Sequence, residues 1–146
     1  VTDLFAAQST IVARLNAELT SATAYYGSQA AGANSQALVM PCVVVAPGPA
    51  VVTDDVRIES TATPVVETHT WRVGVRVSMD TGTTAANRVE HTAGTLVHEV
   101  IKALKGYRPS SGYSVLHYAG RDELSYQTEA GYAEVWMSFT AVAAIS

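Results

Sequence analysis

The 146-residue chain is 48% apolar, carries charge on only 15% of its residues and has a net charge of −4. Its nine basic residues are scattered, which excludes the clustered Lys and Arg of a nucleic-acid face. One cysteine, Cys42, rules out an intrachain disulfide. No apolar run reaches the ~20 residues of a bilayer span and the N-terminus lacks a signal-peptide pattern, so a soluble protein folding in a cytosol is expected. The length fits one domain over 1–146, burying about 70% of the unfolded surface. Charge is sparse against a typical ~25%, as on a surface partly covered by a partner.

Residues 3–24 read as a helix. Leu4, Ile11, Leu15 and Leu19 form one stripe, with Val12 beside it, while Arg14, Asn16 and Glu18 point away. Thr2 or Asp3 caps its start. The small polar run at 27–36 is a loop, and "LVMPCVVVA" at 38–46 is a buried strand whose Pro41 marks an edge or an entrance. Residues 47–64, with Pro and Gly at their ends, form an extended loop or hairpin. From 65 to 80 the chain alternates: Trp71, Val73, Val75, Val77 and Met79 face in, and Arg72, Gly74, Arg76, Ser78 and Asp80 face out. Toward the start the inward positions become Glu67 and His69, so the core-facing register begins at Trp71. Sixteen residues extend ~50 Å, against a globule of ~15 Å radius of gyration and roughly 38 Å diameter. Part of this strand, 65–70, is therefore expected to project.

"TGTT" at 81–84 turns the chain and offers Thr83 or Thr84 as a cap. Val89, Ala93, Leu96, Val97, Val100 and Leu104 then make a helical stripe. Gly94 within it costs ~1 kcal/mol relative to Ala, which predicts a close approach to the sheet. Lys102 and Lys105 suit the helix end, Gly106 takes the left-handed position after it, and Pro109 forbids continuation. "YSVLHYAG" starts a strand, a polar turn follows at 121–131, and the last strand runs over 132–143. There Ala133, Val135, Met137, Phe139 and Ala141 face in, with Tyr132, Glu134, Trp136, Ser138 and Thr140 out. The expected fold is α+β: a mostly antiparallel sheet with two amphipathic helices packed on one face and a long projecting strand or hairpin.

Little in the chain suggests chemistry. "DTG" at 80–82 and "GRD" at 120–122 resemble the triplets of small dimeric aspartic proteases, where one Asp per chain shares a proton. A helix period follows Asp80, however, where those enzymes continue into a strand. A zincin pair needs His four residues after His98, and Lys102 stands there. His91 and His98 lie two turns apart and read as solvated, while His69 and His117 lack a local acid or nucleophile. Cys42 reads as a small buried apolar residue, and Asp54–Asp55 and Asp122–Glu123 as turn residues. No metal, cofactor or catalytic residue is expected. The outward sheet face is more informative, because Arg72, Arg76, Tyr132, Glu134 and Trp136 share it if the two long strands pair. Trp, Tyr and Arg are enriched at interface hot spots, which predicts a subunit contact there, with Glu67 and His69 contributing from the projecting end.

The order of elements, the strands "PCVVVA", "TWRVGVRVSM", "VLHYAG" and "AEVWMSFTAV", and the helix stop "VIKALKGYRP" together resemble the tail terminator proteins of tailed bacteriophages. The shared pattern is an Ala-Leu-x-Gly-aromatic-x-Pro stop followed by a Tyr-x-Gly strand end; residues 47–64 match nothing in it. The resemblance implies a virion protein, assembled in the host cytoplasm, that forms a homo-hexameric ring on the head-proximal end of the tail tube. The ring would stop tube polymerisation and meet the head connector. Its implied partners are other copies of itself, the tail tube protein and the connector or neck protein, with the tail sheath a further candidate and neither a nucleic-acid sequence nor a membrane among them. Alternatives are another neck or tail-completion protein, a domain of a related injection apparatus, or a dimeric protease using Asp80.

Overall fold

The computed structural model describes residues 3–32, 38–54, 65–79 and 88–145. Strict alternation fixes the centre of the sheet. Strand β3 (Val65–Ser78) pairs antiparallel with β6 (Tyr132–Ile145) without a break, from Val65 opposite Ile145 to Ser78 opposite Tyr132. Trp71, Val73, Val75 and Val77 on one strand and Ala133, Val135, Met137, Phe139 and Ala141 on the other are buried, as the period requires. Fully burying an aliphatic or aromatic side chain of this kind stabilises by about 1.5–3 kcal/mol.

Around this pair the sheet runs β1-β2-β3-β6-β4, with β1 Thr23–Tyr26, β2 Cys42–Asp54 and β4 His117–Arg121; β5 (Ser125–Gln127) also pairs with β6. Among the described residues only β1 and β2 pair in parallel. Helices α1 (Ala7–Glu18) and α3 (Val89–Leu104) bury Ile11, Leu15, Leu96, Val100 and Leu104 in one cluster with the inward strand residues. The expected α+β layout, with two helices on one face of a mostly antiparallel sheet and long strands, is what the structure shows.

The joint after α3 forms as its residues dictate. Gly106 has φ +79, its N–H donates to Leu116 O at 2.9 Å, and Leu116 N–H donates to Tyr107 O at 2.8 Å. From α1, Arg14 Nε donates to Ala103 O at 3.1 Å and its guanidinium lies 4.9 Å from the Tyr107 ring centre. Thus Arg14, expected to face solvent, joins the two helix ends.

Several elements differ from the sequence reading. Helix α1 stops at Glu18 and does not reach residue 24, because Leu19 is extended and Asn16 clamps Ala24: Ala24 N–H donates to Oδ1 at 2.8 Å, and Nδ2 donates to Ala24 O at 3.3 Å. The residues released become β1. Leu4 precedes the helix and is 43% exposed, so it does not extend the buried stripe. Gly27–Ala31, expected as loop, is a short helix α2, with Tyr26 N–H donating to Gln29 Oε1 at 2.8 Å. Strand β2 continues past residue 46 because its register shifts between Pro47 and Ala50, absorbing Gly48 and Pro49 as a bulge. A Cβ on Gly48 would sit 3.0 Å from Thr70 O, so the bulge favours glycine. Residues 125–127 within the expected turn are the strand β5. Gly94 is exposed, with nothing within 4 Å of an added Cβ, so it marks no close approach to the sheet. Residues 113–116 hold one bridge, Tyr113 to Ala143, before β4 begins.

The Thr2 cap, residues 55–64, the 80–84 stretch with Asp80, Thr83 and Thr84, and the 33–36 part of the expected loop lie outside the described residues.

Candidate functional site

Even-numbered residues of β3 and β6 point away from α1 and α3, and the register places their side chains in rows. Arg76 stands opposite Glu134, Gly74 opposite Trp136, Arg72 opposite Ser138, and Ser78 opposite Tyr132. Arg76 Nε lies 3.3 Å from Glu134 Oε2, and its guanidinium lies 4.7 Å from the Tyr132 ring centre. Arg72 donates through Nη1 to Ser138 Oγ at 3.0 Å and through Nη2 to Asp122 Oδ2 at 2.7 Å, with its charge 5.9 Å from the Trp136 ring centre. The Trp136 ring lies flat over Gly74: a Cβ there would be 2.8 Å from ring carbons. All five residues expected on this face, Arg72, Arg76, Tyr132, Glu134 and Trp136, are brought together.

Their charges are already matched within the subunit. The Arg76 and Glu134 side chains are only 13% and 15% exposed. Part of the shielding comes from α2, which packs on this same open face: Gly27, Ala30 and Ala31 share a small cavity with Val44, Arg76 and Trp136. Cys42 and Val44, on the open face of β2, are buried. Burial pushes the Cys42 thiol up to about 11, with the nearby Arg76 charge pulling the other way. The third helix on the open face was not legible as such in a small, polar stretch.

Glu67 and His69 fall on the other side of the sheet, with Trp71. His69 is buried, its Nε2 lies 2.9 Å from Glu67 Oε2, and its ring meets Tyr113 edge-on at 5.6 Å. Tyr113 in turn donates to Leu4 O at 3.4 Å. Through Tyr113, His69 thus ties the N-terminal segment to the sheet, and neither it nor Glu67 joins the Arg72–Trp136 cluster. The buried register therefore starts at His69, one inward position earlier than expected. Nearby, Trp71 Nε1 is buried without a hydrogen-bond partner.

Exposed apolar area collects elsewhere. Of the eight large apolar side chains that stand exposed among the described residues, Leu4, Phe5, Val51, Val52, Val65 and Val142 lie toward the end of the sheet far from Ser78 and Tyr132, while Val39 and Tyr126 lie away from it. Val51 and Val142 flank Thr68 on the open face, while Val52 is opposite Glu67 on the helix face. The alternation of the last strand, continued by two residues, would have placed Val142 outward, but Val51 and Val52 sit in the stretch that read as loop.

Among the described residues no group of three His, Cys, Asp or Glu side chains is placed to hold a metal ion, and no helix is long and apolar enough to cross a membrane. Asp122, from the protease-like triplet at 120–122, is engaged by Arg72.

Comparison with known proteins accords with the element order. No curated protein matches the chain. Among solved structures, a chain of the "Virion of native gene transfer agent (GTA) particle" superposes with a TM-score of 0.55 at 19% identity, over 94% of this chain and 93% of that one, a likeness of fold. The family described as "Phage tail terminator protein" matches residues 1–142. With that match covering nearly its whole length, the chain belongs to the phage tail terminator family, whose members are structural proteins of the virion's tail and neck region.

Proposed function

We propose that this subunit assembles into a hexameric ring that caps the head-proximal end of the tail tube, halts its polymerisation and meets the head connector. A cap needs no catalysis, and family membership assigns this chain a structural, non-enzymatic role. It must match the last ring of the tube on one side and deny a further tube ring a seat on the other. Repeated weak contacts serve this well, because subunits held in one ring engage at high effective concentration. The observation that carries the reading is the uneven surface. The arginines of the open face are paired within the subunit, whereas six of the eight exposed large apolar side chains lie toward one end of the sheet, on both of its faces. Apolar side chains gathered in this way suit a surface that a partner covers.

Negative-stain electron microscopy of the purified protein, alone and mixed with tail tubes, tests this. Rings, and tubes capped at one end, are expected. Solitary particles together with bare tube ends would refute it, as would binding along the tube wall.

A further inference from the structure

The sheet is open, and its two outer margins are unlike. Strand β1 pairs only with Cys42–Val45 of β2, so from Ala46 onward β2 is itself the margin among the described residues. Natural sheets guard such margins with proline, charge or bulges. Here a second register shift, between Val52 and Asp54, closes the far end, and Pro47, Pro49 and the first bulge guard the near part. Beyond them Ala50, Val51 and Val52 carry no proline, glycine or charge, and Val51 and Val52 are 63% and 50% exposed. Behind them Val142, 41% exposed, shares a row with Thr68 and Val51, while the buried Ala143 shares one with Glu67 and Val52; Val65, 46% exposed, lies beyond the second register shift. An added strand would therefore cover apolar side chains on both faces at once. On the opposite margin, β4 leaves His117, Ala119 and Arg121 exposed, with a register shift of its own between Tyr118 and Arg121 and no strand beyond it among the described residues.

We propose that the Ala50–Val52 margin of β2 is a strand-addition site occupied by a second copy of this chain, through that copy's β4. The occupant follows from the sheet itself. A chain with one free margin of each kind can use both in every copy, and such head-to-tail contacts continue around a closed ring. Pairing of β2 with another β2 would be two-fold and would stop at a dimer. The inference rests on the ring reading and supplies its subunit contact, moving it from the Arg72–Trp136 face to the sheet margins.

Two experiments on the full chain test it. In the first, Val51→Lys and Val52→Lys are combined, giving the margin the charge that guarded edges carry. The fraction of protein in rings is expected to fall by about tenfold or more, with circular dichroism and the urea midpoint little changed. In the second, Val52→Cys and Ala119→Cys are introduced together and treated with a short bis-maleimide, Cys42 being buried. A ladder of cross-linked oligomers is expected only when both cysteines are present. Rings that persist in the lysine variant, or that give no ladder, overturn the inference and leave the ring reading standing. Dimers from Val52→Cys alone overturn the head-to-tail contact. A parent protein that forms neither rings nor tube caps removes the ring reading, and this inference with it.

Discussion

Replacing Gly74 with alanine should destabilise the subunit, although alanine is usually the better strand residue. The added methyl would sit 2.8–2.9 Å from three carbons of the Trp136 ring, against an optimal carbon contact of about 3.5–4.0 Å. The ring must retreat by roughly 0.7–1 Å, a gap that forfeits about a quarter to a half of each contact it opens. Overpacking of this kind costs about 1–3 kcal/mol, and the conformational gain of leaving glycine offsets about 0.5–1 kcal/mol of it. The net loss should be about 1–2 kcal/mol, or roughly 3–8 °C in Tm for a chain of this size. Urea unfolding followed by tryptophan fluorescence gives the number, with an unchanged m-value showing that the unfolded state is not responsible. A cycle with Trp136→Ala isolates the cause: once the indole is gone, Gly74→Ala should be neutral or mildly stabilising. A Gly74→Ala protein as stable as its parent would refute the reasoning, and so would a penalty that persists without the indole.

Gly94→Ala should do the opposite, raising stability by about 1 kcal/mol, because an added methyl meets nothing and α3 gains helix propensity; a urea midpoint suffices to check it. Arg76→Ala should cost about 2–3 kcal/mol, somewhat below a fully buried pair, since Glu134 is left 15% exposed and unpaired. Arg72→Ala should cost within about 1 kcal/mol of nothing, its partner Asp122 being 61% exposed; parallel denaturation curves for the two variants would reveal a reversed order. The Cys42 thiol, raised from 9.0 to about 11 by burial, ionises more readily in the unfolded chain. Its contribution to stability is therefore complete below pH 9 and is lost as the pH rises through 9 to 11. Cys42→Ser should flatten that decline in a pH series of urea midpoints, and the native thiol should resist a disulfide reagent at pH 8 until the protein unfolds.

The parts of the fold legible in the sequence are those where one periodicity acts alone. Trp71 to Val77 and Ala133 to Ala141 alternate without interruption, and the α3 stripe ends on Gly106 with Pro109 behind it, so their faces follow from side-chain spacing. The parts that escaped are those settled by contacts distant in the chain. Nothing local to residues 19–24 says that Asn16 will bind both backbone groups of Ala24 and turn a helical stretch into β1. Pro47 and Pro49 read as breakers, yet on a strand margin their missing N–H groups cost nothing. The candidate surface shows the same division. Its Arg, Trp and Tyr types were readable, and so was their shared face, but not that Glu134, Asp122 and Ser138 would satisfy the arginines internally. Nor did it show that His69 would be drawn into the core by Tyr113.

Helix α2 has a consequence for how subunits would fit side by side in the proposed ring. Where it crosses the open face the body is three layers deep; toward β4 and β5 no described helix lies on that face and only two layers remain. A block deeper along one flank than the other is a wedge, and wedges set flank to flank turn by a fixed angle at each step. Curvature would then come from the taper of the subunit itself, with no hinge or strain at the joints, and shaving Ala30 and Ala31 from α2 would change the number of wedges needed to complete a circle.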